Sequence, residues 1–186
     1  LNVPQNLRDY TEDLFVKNAG HTLDNYNFSH HPYVSTTKIK GEIHFNKGSI
    51  NARSSATSFA LTNTISTLVE VRGVRIGRSS FKRRTFVTYL VGLSYLETAN
   101  TNPQEIRRQI TQANETEKQI FVTSIRKVYP DSLQVIDLDQ NELVKIGVTF
   151  RDALKPIPQL VREKPFAYVI QRNNEIIEKL EVLGIE

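Results

Sequence analysis

Hydrophobic positions change their spacing several times along this chain, and each change predicts an element. From Val3 to Asn18 they recur at helical intervals, with Leu7, Tyr10, Leu14 and Phe15 on one face. Pro4 suits the first turn of that helix, and Gly20 stands where a C-terminal cap is expected. His21 to Pro32 is polar and aromatic, which predicts a loop. Ser35 to Phe45 alternates Ile39, Ile43 and Phe45 with lysines and Glu42, as a short strand or hairpin arm would. Asn46 to Ser58 is small and polar and reads as a long loop, with Phe59 to Ile65 as a helical turn or the lead-in to a strand.

The stretch from Thr64 to Arg84 organises the rest. Ile65 to Val71 is rich in β-branched residues and predicts a buried strand, with one carboxylate, Glu70, inside the apolar run. Gly73 and Gly77 punctuate a turn, and a helix with a basic head then opens at Phe81, Lys82, Arg83 and Arg84. Between Thr85 and Thr98, residues Phe86, Val87, Leu90, Val91, Leu93 and Leu96 make a broad apolar surface suited to covering a sheet face. Pro103 to Gln119 is a far more polar helix and reads as a connector.

After Ile120 the texture becomes β-rich. Short runs are split by Pro130-Asp131, by Asp139-Gln140-Asn141 and by Pro156 with Pro158, the last run being PFAYVIQR. The finish carries Ile176, Ile177, Leu180 and Leu183 at helical spacing, with Asn173 or Asn174 able to cap it and Gly184 able to end it. Two parts are expected: 1–119, and a β-rich appendage at 120–186 that ends in a short helix.

Composition narrows the classes. A chain of 186 residues can bury one sizeable core, or a domain with an appendage. Its net charge of +4 falls short of a nucleic-acid binder's, and no run is apolar enough to cross a bilayer. Six basic residues between Arg72 and Arg84 could hold an anion, but no aromatic platform or nucleic-acid motif accompanies them in the sequence. With no cysteine, disulfides and thiolate chemistry are excluded. His21, His30, His31 and His44 lack the spacing of a zinc site and read as solvated or capping residues, so no metal ligand is assigned here. Leu1-Asn2-Val3-Pro4 reads like the interior of a longer protein.

Glu70 then poses the functional question. A buried carboxylate needs a partner or a task, and Arg72 and Arg75 follow closely. It is either a structural ion pair or a catalytic group. The segment TLVEVRGVRIGRSSFKRRTFVTYLVGLSYLETA resembles the end of the catalytic domain of the zinc carboxypeptidases (the M14 peptidase family), in its bacterial branch above all. Glu70, Arg72, Gly73, Gly77, Arg78, Arg83 and Arg84 carry the likeness.

The resemblance implies an α/β fold: the C-terminal part of a mixed-sheet zinc-carboxypeptidase-like domain, followed by a small β-rich segment. It implies Glu70 as general base, with Arg72, Arg53 and Asn51 binding a peptide or N-acyl amino acid substrate. It also implies zinc, held upstream. No HxxE pair occurs in these residues, so the chain by itself is expected to be inactive. Self-association, or pairing with a missing N-terminal part, is the expected partnership, without nucleic acid or membrane. The alternative is a non-catalytic binding module in which Glu70 and Arg72 form a structural pair. Both cytoplasm and periplasm stay open as locations.

Overall fold

The structure, a computed structural model, describes residues 2–73, 77–116 and 119–182. It is α/β with a mixed four-stranded sheet, as expected. Helix α1 (Gln5–Tyr10) runs through a π-helical stretch (Thr11–Val16) into α2 (Lys17–Asn25) without a break. The predicted cap at Gly20 is therefore corrected, because the helix continues a further turn and a half. Gly20 is kept for closeness: a Cβ there would lie 2.8 Å from the His30 ring, which folds back over the helix.

The predicted hairpin arm is a complete hairpin, β1 (Val34–Ile39) and β2 (Glu42–Lys47). Lys40 (φ 49°) and Gly41 (φ 92°) form its two-residue turn, the left-handed pair that matches strand twist. Helix α3 (Ser55–Leu61) occupies part of the expected long loop. A 3-10 turn (Gly77–Ser80) leads into α4 (Phe81–Thr101), and α5 (Pro103–Thr116) follows. The β-rich tail is two long strands, β3 (Gln119–Asp137) and β4 (Glu142–Glu163), where several short ones were expected.

The prolines do not break these strands. Beyond Asp152, only one edge of β4 is paired among the described residues, so the missing N–H of Pro156 and of Pro158 costs little. Residues 164–173, which include the β-rich run expected at 165–172, lie outside the sheet, and α6 (Asn174–Val182) closes the described chain. Of the two capping candidates, Asn173 caps it, its side-chain oxygen accepting from the amides of Glu175 (3.0 Å) and Ile176 (3.3 Å).

The sheet order is β1-β2-β4-β3, with β2 parallel to β4 and the other pairs antiparallel. It therefore draws two strands from each of the two parts expected from the sequence. The joint is built around Phe150, fully buried and faced by Phe45 and Tyr129. The Lys47 ammonium sits 3.7 Å from the Phe150 ring centroid. Asp152, 3% exposed, accepts from the Tyr129 hydroxyl at 3.1 Å and from the amides of Leu154 and Lys155. Burial, reinforced by that bond to Asp152, pushes the Tyr129 phenol above its usual pKa and keeps it a donor.

A second core joins helices. Ala19 and Leu23 of α2 pack on Leu90 and Val91 of α4, flanked by Phe28, Val87 and Tyr95. Helix α4 was expected to cover a sheet face, and this is corrected: its buried side lies on α2 instead. The predicted strand at 65–71 is corrected too. Among the described residues that stretch is paired with no neighbour, and a strand exists only where a neighbour supplies main-chain partners.

Candidate functional site

The region singled out by the sequence runs from the loop after β2 to the head of α4. Gly48 opens that loop at φ 64°, its α-carbon set against the Leu154 side chain so closely that a Cβ would collide with it. Asn51 then forms a tight local turn: its side-chain oxygen accepts from the Arg53 amide at 3.0 Å, and its carbonyl accepts from the Ser54 amide at 2.9 Å. Arg53 projects into solvent from that turn.

The stretch from 65 to 73 is held by side chains. Ser66 donates to the Ala56 carbonyl at 2.7 Å, tying the stretch to the start of α3. Tyr95 on α4 donates to the Thr67 hydroxyl at 2.8 Å. At its far end Arg83 donates to the Arg72 carbonyl at 3.1 Å, and the Arg84 side chain lies directly on Gly73. A Cβ at Gly73 would meet the Arg84 side chain, which would have to shift to admit it.

Glu70 and Arg72 sit on this stretch with their side chains exposed. Among the described residues they form no ion pair with each other, and neither side chain is bonded to Asn51 or Arg53. The structure brings Asn51 and Arg53 into one turn and sets Glu70 and Arg72 two residues apart on one stretch. It shows no contact linking the two pairs. Arg75, the other expected partner of Glu70, lies outside the described residues.

The histidines are spread. His30 Nε2 is 3.2 Å from Asp24, and His44 Nε2 is 3.7 Å from Glu42. Among the described residues no three His, Asp or Glu side chains converge on a metal position. No reaction step is assigned to a metal held by the described residues.

One feature of the basic head was missed in the sequence. Phe81 (62% exposed) and Tyr89 (59% exposed) stand in solvent on α4, and Phe81, Arg84, Thr85 and Thr88 line a shallow open hollow. The signal was present: apolar residues occur on every side of α4, so burying one side leaves others exposed.

No protein-family model matches the chain, and no solved structure matches it. It is similar along its whole length to fungal carboxypeptidases. It is 24% identical over 192 residues to carboxypeptidase 2 of Trichophyton rubrum and 25% identical over 196 residues to carboxypeptidase 2 of Trichophyton tonsurans. It is 23% identical over 192 residues to a probable carboxypeptidase 2 of Trichophyton verrucosum. In each case the whole of this chain is covered, but only 36–37% of the relative. The chain thus spans about a third of the length of the curated relatives it matches. The relatives found are fungal and give no support to a bacterial origin.

Proposed function

We propose that the chain is part of a peptidase-like hydrolase of the metallocarboxypeptidase kind, cleaving a C-terminal peptide or related amide bond. The observation that carries this reading is the similarity to fungal carboxypeptidases, which extends over every part of the chain. The residue pattern around Glu70, which resembles the M14 family, supports it independently.

In this reading Glu70 is the general base. Its carboxylate takes a proton from the attacking water and passes it to the leaving amine, a role worth about 10²–10⁴-fold in rate. Arg72, two residues on, shares its side of the stretch when the backbone is extended, and would orient an acidic substrate group. Arg53, carried forward on the Asn51 turn, and Asn51 itself would add further substrate contacts. The zinc such an enzyme uses would be held by residues outside this chain and would supply Lewis acidity.

The competing reading is a binding module held by a Glu70–Arg72 pair. It has less behind it, because the two side chains stand apart in solvent. Replacing Glu70 by Gln in the complete protein tests the choice. The expected result is a fall in kcat of about 10²-fold or more with KM little changed. A variant as active as its parent removes Glu70 from the chemistry.

A further inference from the structure

Residues 164–182, beyond the end of β4, stand clear of the rest of the described chain. Every residue from 164 to 176 is exposed, and α6 lies against none of the other helices or strands. The hydrogen bonds of the Asn173 cap, and the pairing of Lys179 with Glu175, stay inside the segment. Yet the segment is rich in large apolar side chains. Phe166 and Val169 are fully exposed, Tyr168 nearly three-quarters and Ile170 about half. On an extended backbone Phe166, Tyr168 and Ile170 would fall on one side. A contiguous apolar run of this kind marks a surface that something covers.

The end of the β3–β4 ribbon to which the segment is joined is apolar too. Ile125 and Ile157 are direct cross-strand partners, so they share a face, and each is about half exposed. Val122 on β3 and Leu160 on β4 are exposed to a similar degree. The lengths agree. At about 3.3 Å per residue, 164–172 can run back about 30 Å, which matches β4 from Ala153 to Arg162. The tether decides the occupant. A segment joined directly to the ribbon meets it at an effective concentration of about millimolar, far above that of a second copy in dilute solution. Pro156 and Pro158 supply no N–H, so a full main-chain ladder along this part of β4 is not available, and side chains must make the contact.

We propose that residues 164–172 are a strap that closes over the Ile125–Ile157 face of their own ribbon, laying Phe166, Tyr168 and Ile170 on Ile125, Ile157 and Leu160. The structure holds the open state. Closure buries apolar side chains on both surfaces, and its cost is the conformational freedom of a short segment already tethered at one end. A strap of this kind governs access to the face beneath it: another polypeptide reaches Ile125 and Ile157 only while the strap is open. The proposal is independent of the role given to Glu70.

The 186 residues contain no Trp, so Tyr168→Trp gives the chain a single fluorescent reporter on the strap. Its emission should lie to the blue of that of the urea-unfolded chain, and acrylamide should quench it several-fold less, at every protein concentration. Emission and quenching equal to those of the unfolded chain overturn the proposal. So does protection that grows with concentration, which would make a second copy the occupant. Two substitutions in the reporter chain then locate the contact. Ile157→Asp, at an exposed position where folding loses little, should return the reporter to the unprotected level. Leu143→Asp, opposite Ile136 at the other end of the ribbon, should leave it protected. A reporter that stays protected in the Ile157→Asp chain, or that loses protection equally in both, contradicts closure on this face.

Discussion

Two surface carboxylates, Glu105 and Glu70, mark the range of settings this chain offers an acid. Glu105, in the first turn of α5, accepts from Arg108 at 2.5 and 2.7 Å and from Gln109 at 2.8 Å. Those bonds, from Arg108 first, hold its carboxyl down to about 2, against an ordinary value of 4.5. A depressed acid stabilises the fold above its unfolded pKa and stops doing so as pH falls through the folded one. The contribution of Glu105 is thus present above pH 4.5 and fades towards pH 2. A carboxyl NMR titration should place its midpoint near 2, and Arg108→Ala should move it back towards 4.5. An unmoved midpoint in that variant would take Arg108 out of the account. Glu70 has no such partner among the described residues. At this scale the sequence was informative about identity and silent about occupation. Nothing in Asn51-Ala52-Arg53 reveals that the Asn51 oxygen is already bonded to the Arg53 amide.

Among the elements, α4 shows what periodicity can and cannot specify. Its extent and basic head were legible, and so was the Asn173 cap of α6, because capping and helical spacing are local properties. Its packing partner was not, because several sides of α4 are apolar and only tertiary contact selects one. The same holds for 65–71, where β propensity is satisfied only when a neighbouring strand is present. A pair of truncations measures how uneven α4 is. Leu90→Ala, at a buried position against α2, should lower unfolding free energy by about 2–4 kcal/mol in a urea titration. Leu96→Ala, on the open face, should change it by less than about 0.5 kcal/mol in this chain. Comparable losses at both sites would mean that the open face is covered here after all.

For the whole molecule, the decisive contact is the parallel pairing of β2 with β4, which spans only His44–Lys47 against Thr149–Asp152. On either side of that joint the β3–β4 ribbon continues with little else against it. The strand β4 has 22 residues. At about 3.3 Å per residue it would reach about 70 Å if straight. A compact chain of this length has a radius of gyration of about 16 Å, so the ribbon overreaches the diameter of such a globule. Friction with solvent depends on reach as well as on mass. On a sizing column the chain should elute ahead of globular standards of 21.3 kDa, while light scattering on the same peak returns the monomer mass. Elution level with those standards would mean that the ribbon folds back on the helices. A molecule shaped in this way tumbles slowly for its weight, and its ribbon sweeps a volume in which any neighbouring polypeptide is encountered first.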